Sequence, residues 1–342
     1  MASSNIFQNI QQQSPANKLA FIDVDHTLTA NPWETEEKDL LDSRLTNQAM
    51  ALLKKAGYCC ILNTSRTEEM CMSSKQYMLS KQYYHFKRPA PQIGMGRDGR
   101  RFYIKPEDFY PINFLDLPII ISSSGAKISV LQNEGGYRED TDFYPAHFPS
   151  LAVWREKTIS ILHSFNLPFR LSPIESTHNY YQHVTDVFPP DYRIQLYFRS
   201  LHELIQFTQK IKSQKNNFFL TNDSDPEKQL YTLYITPKKG KYEVIEHIVN
   251  KINISEILII GDSLPDLEAG LHTYSPEIKK TFLLVGGSRL TSYLIDAHKT
   301  SFAGINLNVI KKQLSSFKNK YIIGDLAFPK AIGPRSIIEF LS

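Results

Sequence analysis

The sequence predicts an α/β fold: a doubly wound parallel-sheet core with an inserted α+β module. Three observations lead there. Short apolar runs at 19–22, 58–62 and 257–260 each end in a polar cluster, as buried strands do where they reach a crevice. A helical stretch at 37–56, closed by Gly57, joins the first two runs into a βαβ unit, which requires parallel strands. The texture changes near 129 and the α/β rhythm resumes at Pro237, so the core is discontinuous. A chain of 342 residues also exceeds the usual limit for one hydrophobic core.

In chain order, residues 1–17 are rich in Gln, Asn and Ser and are expected to form a mobile tail. The first strand delivers Asp23-Val24-Asp25-His26-Thr27, and a loop at 31–37 leads into the helix. The second strand ends at Asn63-Thr64-Ser65-Arg66, before a helical stretch at 67–87. Pro, Gly and charged residues at 88–111 predict an irregular segment, with Arg97–Arg101 near its tip. A strand at 117–122 runs into Ser124-Gly125-Ala126. Short alternating segments at 128–131, 192–198, 218–220 and 230–235, with helices at 149–165 and 201–213, read as an antiparallel α+β module. A helix at 240–251, strands at 256–260, 281–285 and 320–323, and a last helix at 334–341 complete the core. The expected division is 18–129 with 236–342 as the core and 130–235 as the insert.

Composition narrows the function classes. A net charge of +4, from 39 basic and 35 acidic residues without a long like-charge run, does not call for nucleic acid. No run of about 18 apolar residues is present, so no membrane span is expected. No secretory signal is visible. Cys59, Cys60 and Cys71 are odd in number and two lie in a buried run, which predicts free thiols and a reducing, cytoplasmic compartment. Signal-independent export is left open.

Chemistry concentrates in four clusters at strand ends or a helix start: Asp23 with Asp25, Thr64-Ser65-Arg66, the lysines beside Gly240, and Gly261-Asp262-Ser263 with Asp266. A carboxylate at a strand end can serve as a nucleophile or as a ligand for a hard cation. Taken alone, Asp23 with Asp25 or Thr64 with Ser65 would more often be a helix cap, and Lys239 a solvated surface lysine. His178, His183 and His202 lack metal-site spacing and read as ordinary packing or surface residues, and the aromatic run 179–183 reads either as a surface loop or as the lining of a cleft beneath the inserted module.

In their order and context, the four clusters resemble the haloacid dehalogenase superfamily of phosphatases. The similarity is strongest to the branch with a large cap inserted between the second and third motifs, the Cof-type and sugar-phosphate phosphatases. It covers essentially the whole chain after residue 18, with "SSSGAKI" at 122–128, "ITPKKGKYEVIEHI" at 235–248 and "IIGDSLPDLEAG" at 259–270 matching successive motifs. The resemblance implies a phosphomonoester hydrolase in which Asp23 attacks phosphorus and forms an aspartyl-phosphate. Asp25 would protonate the leaving oxygen and then activate water. It implies Mg²⁺ held by Asp23, the backbone carbonyl of Asp25, and Asp262, with Asp266 as a ligand or just behind one. Thr64 and Ser65 would bind the phosphoryl group, and Arg66 would either reach substrate or make a salt bridge. Lys239 is the preferred catalytic cation because it directly precedes Gly240, with Lys238 and Lys241 as competitors.

His26 and Ser124 depart from the Gly and Asn usual at these positions, and the segment after the second motif is longer than usual. These departures leave the substrate open. A phosphorylated small metabolite such as a sugar phosphate is expected. Phosphotyrosine or another phosphoprotein, and a phosphomutase reaction, are the alternatives, while a non-catalytic binding protein would be expected to have lost one of the carboxylates.

Overall fold

In the computed structural model the described residues are 10, 17–25, 27–28, 43–66, 68, 71, 92–95, 101–104, 117–132, 135–146, 148–171, 192–212, 219–222, 231–237, 240–285, 301–302, 305–306, 321–323 and 333–342. The strands in chain order are β1 Lys18–Ile22, β2 Tyr58–Asn63, β3 Gln92–Met95, β4 Arg101–Ile104, β5 Ile119–Ser122, β6 Lys127–Leu131, β7 Tyr137–Glu139 and β8 Arg170–Leu171. They continue with β9 Ile194–Phe198, β10 Phe219–Asn222, β11 Tyr231–Thr236, β12 Glu256–Gly261, β13 Lys279–Leu284, β14 Ser301–Phe302, β15 Ile305–Asn306 and β16 Tyr321–Ile323.

The main sheet has eight strands in the order β16-β13-β12-β1-β2-β5-β6-β7. From β16 to β5 all pairings are parallel, and β6 and β7 add an antiparallel edge. β1 lies between β2 and β12, which come from distant parts of the chain. The strand order therefore reverses at β1, and in open α/β sheets ligands bind beyond the carboxyl ends of the strands at such a reversal.

Alternate residues of the central strands feed two cores. Leu19, Phe21, Cys59, Ile61, Ile257 and Ile259 pack on one face with the helix Lys241–Val249. Ala20, Ile22, Cys60, Leu62, Leu258 and Ile260 pack on the other with the helices Ser43–Lys55 and Pro334–Leu341. Burial on both faces explains why these strands read as unbroken apolar runs. Each buried aliphatic side chain contributes about 1.5–3 kcal/mol relative to exposure.

The inserted module forms a separate antiparallel sheet, β10-β11-β9-β8. The helices Leu151–Ser164 and Leu201–Lys212 cover it, with Trp154, Leu162, Leu196 and Phe207 in its core.

Three expectations are corrected. The segment at 128–131 belongs to the main sheet as β6, not to the insert, and β7 carries that sheet past the boundary expected at 130. The reason is the tight turn at 123–125, which folds β6 back antiparallel onto β5. Within 88–111, β3 and β4 form an antiparallel hairpin rather than an irregular stretch. The Pro and Gly content of the segment does not prevent these two four-residue strands from pairing. In the expected tail, Ile10 is buried in the first core, and the Asn17 carbonyl accepts from Ser255 N–H at 2.9 Å. One apolar side chain with a core to join outweighs the polar composition around it.

Candidate active site

The site lies at the carboxyl ends of β1, β2, β5 and β12. Asp23 directly follows β1, and its N–H donates to the Ile260 carbonyl of β12 at 2.8 Å, which locks the two strand ends side by side. Asp262 follows β12 and Thr64 follows β2. The carboxylate oxygens of Asp23, Asp262 and Asp266 approach within 4.8 Å of one another, and all three residues are buried.

Asp266 reaches the cluster from the first turn of the helix Leu264–Leu271. Its Oδ2 accepts from Ser263 N–H at 3.2 Å and from Ser263 O–H at 2.6 Å. Its Oδ1 faces Lys241 Nζ at 2.6 Å. Gly261 makes this approach possible, because a Cβ at that position would overlap the Asp266 carboxyl group.

The same ammonium donates to Asp23 Oδ1 at 2.8 Å, so Lys241 bridges two carboxylates with only 3% of its side chain exposed. Burial by itself would push Lys241 down. The charges of Asp23 and Asp266 outweigh it and hold the ammonium above its ordinary value. Burial likewise raises Asp23 well above the usual carboxylate range; Lys241 pulls it back, and Asp266 and Asp262 push it up again. Among the described residues the cluster carries three carboxylates and one ammonium, an excess of negative charge that favours a divalent cation with oxygen ligands.

Lys239, the preferred cation of the sequence reading, lies outside the described residues, as does Lys238. The ammonium that the structure brings to Asp23 is that of Lys241. Lys241 opens its helix, where a side chain leans back toward the N-terminal end and so into the crevice. Gly240 before it has φ +109°, and a Cβ on Gly125 (φ +87°) would stand 2.6 Å from the Gly240 carbonyl oxygen. Two glycines in contact thus bring this helix start against the turn after β5.

Thr64 is buried, and its Oγ1 accepts from Arg66 N–H at 3.2 Å. Ser65 is half-buried. The Arg66 guanidinium forks onto Asp25, with Nε to Oδ2 at 3.0 Å and Nη2 to Oδ1 at 2.7 Å. The Asp25 carboxylate therefore faces Arg66, apart from the buried group of three. Of the two readings open for Arg66, the structure presents the salt bridge.

Four residues of this region were given no role in the site by the sequence reading, although Asn63 and Ser124 were quoted there. Ser123 and Ser124 are buried, have φ of +55° and +59°, and hold the site backbone through Ser123 N–H to Arg66 O (2.6 Å) and Ser124 N–H to Thr64 O (3.0 Å). Non-glycine residues in this conformation concentrate at functional sites. Asn63 Nδ2 reaches the Lys241 carbonyl at 3.4 Å. Arg193, in the inserted module, donates from Nη1 to the Ser65 carbonyl. The consecutive serines were the one local signal; Arg193 had none. His26, His178, His183 and the run 179–183 lie outside the described residues, and His202 is an exposed residue of a module helix.

No protein-family model matches the sequence, and no curated protein matches it. The fold does have likenesses among solved structures. Sucrose-phosphatase from Synechocystis sp. PCC6803, in complex with sucrose and phosphate, superposes with a TM-score of 0.53 at 9% identity, covering 95% of this chain and 96% of that one. A haloacid dehalogenase-like hydrolase from B. subtilis gives a TM-score of 0.44 at 14% identity, covering 89% and 93%. The first of these establishes a shared fold over nearly the whole of both chains. Among the described residues no helix is long and apolar enough to cross a membrane.

Proposed function

We propose that this chain is a Mg²⁺-dependent phosphomonoester hydrolase of the haloacid dehalogenase superfamily, acting through an aspartyl-phosphate on Asp23. The observation that carries the reading is the buried Asp23 carboxylate at the end of the central strand, ion-paired to the buried Lys241 and beside Asp262 and Asp266. The donor set fits a hard divalent cation. Asp23 and Asp262 would hold it together with the Asp25 carbonyl. Asp266 suits a place behind them, since three donors already engage its oxygens. Bound there, Mg²⁺ would offset the carboxylate charge and polarise the phosphoryl oxygens.

In the first step Asp23 attacks phosphorus, the bond to the leaving oxygen breaks, and Asp25 gives that oxygen a proton. In the second, water attacks the same phosphorus and passes a proton to Asp25. The phosphorus–Asp23 bond breaks, releasing inorganic phosphate and restoring both carboxyl groups. Lys241 stabilises the charged form of Asp23 and the charge gathering on the phosphoryl group. Thr64 Oγ1 accepts a backbone N–H and so retains its hydroxyl proton to donate to a phosphoryl oxygen.

The antiparallel module would act as a cap that closes over the site and limits water to the molecule used in the second step. A phosphorylated small metabolite such as a sugar phosphate is the favoured substrate, supported by the fold shared with sucrose-phosphatase. Asp23→Asn with Mg²⁺ tests the reading directly. Hydrolysis of p-nitrophenyl phosphate should be abolished while the melting curve stays cooperative, and turnover at the wild-type rate would refute the mechanism.

A further inference from the structure

Arg193 lies in the cap immediately before β9, yet its guanidinium ends on the core. Within the cap it is fixed at both ends. Its carbonyl accepts from Arg155 Nη1 at 2.9 Å, and its guanidinium lies over the Tyr234 ring of β11 at 4.7 Å. From there Nη1 donates to the carbonyl of Ser65. That peptide unit leads directly into Arg66, whose guanidinium grips the Asp25 carboxylate by two bonds.

The Arg66 backbone is then held at three points. Its N–H donates to Thr64 Oγ1 at 3.2 Å, its carbonyl accepts from Ser123 N–H at 2.6 Å, and the peptide before it is held by Arg193. Two anchors belong to the core and one to the cap. A two-point fork fixes the plane of a carboxylate as well as its distance, so a shift of the Arg66 backbone rotates Asp25.

We propose that Arg193 is a positioning residue for Asp25, acting through the Ser65–Arg66 backbone, so that seating the cap and orienting the acid/base are one event. The proposal rests on the role given above to Asp25. Arg193 touches a backbone carbonyl of the core, which predicts an effect on turnover with little effect on substrate affinity.

The test is a double-mutant cycle in the full-length protein with Mg²⁺, using Arg193→Ala, Arg66→Ala and the pair, with p-nitrophenyl phosphate as substrate. Arg193→Ala should lower kcat by about tenfold to a hundredfold, the range of couplings between residues in one network, with KM within about twofold of wild type. Arg193→Lys, which keeps a donor for the Ser65 carbonyl, should recover much of the loss. In the Arg66→Ala background, Arg193→Ala should cost nothing further.

A second readout needs no turnover. Hydrogen exchange at the Arg66 Nε–H, followed by NMR, should accelerate in Arg193→Ala. Unchanged exchange, additive kinetic losses, or a rise in KM alone would each overturn the proposal. Failure of the phosphatase reading itself would show as a wild-type protein without activity, and the exchange experiment would still decide the role of Arg193.

Discussion

Replacing Lys241 by Met removes the positive charge that bridges Asp23 and Asp266 while keeping most of the side-chain volume. The lysine contacts are 2.8 and 2.6 Å, and the three side chains are 3%, 6% and 3% exposed, so solvent screens little of the interaction. Breaking a buried ion pair by removing one partner costs about 3–5 kcal/mol. Here the loss falls on the charged form of Asp23, the proposed nucleophile, which burial already disfavours. At about 1.4 kcal/mol per tenfold in rate, kcat/KM should fall by about 10²- to 10⁴-fold. The assay is phosphate release from p-nitrophenyl phosphate with Mg²⁺, comparing wild type, Lys241→Met and Lys239→Met. Mg²⁺ should still raise the melting temperature of Lys241→Met, because the carboxylates attract a cation more strongly once the ammonium is gone. Lys239→Met should stay within about threefold of wild type. If Lys239→Met fell a hundredfold or so while Lys241→Met kept its activity, the assignment of the cation from geometry would be wrong.

Two further outcomes follow from contacts near the site and near the start of the insert. Gly261→Ala places a methyl where the Asp266 carboxyl sits, so Asp266 must move and release Lys241. Calorimetry should show a loss of about 1–3 kcal/mol, as overpacking typically costs, together with loss of turnover. Asp140 lies just after β7, where burial raises its pKa but the His247 hydrogen bond and Lys251 outweigh this and hold it below the ordinary 3.8. A carboxylate with a depressed folded value stabilises the protein above its ordinary value, and that contribution disappears as pH falls through the folded one. Asp140→Asn should therefore melt lower than wild type at pH 7, by about 1 kcal/mol, with the gap closing below about pH 4.

Sequence alone was enough for the elements whose signal is local. Strands buried on both faces appear as apolar runs, so β1, β2 and β12 could be read directly, and with them the strand ends that carry Asp23, Thr64 and Asp262. Pro334 and the periodic residues after it mark the last helix, Pro334–Leu341 in the structure. The β3–β4 hairpin and the edge strands β6 and β7 were not legible in the same way. Their assignment depends on which surface a short segment joins, and neighbouring residues do not record that.

The candidate site divides along the same line. The residue types and their order determined that carboxylates, a hydroxyl and a cation would meet at the crevice, because each stands at the end of its own strand or the start of its own helix. Only the tertiary structure showed the Lys241 ammonium on Asp23, while Lys239 lies outside the described residues. That contact depends on where the helix begins and on the approach of Gly125 to Gly240, which joins parts of the chain more than a hundred residues apart. The same holds for Arg66 on Asp25 and for Arg193 on Ser65. A side chain's partner across the fold is set by packing that local pattern does not encode, and that packing turns a set of plausible residues into a site.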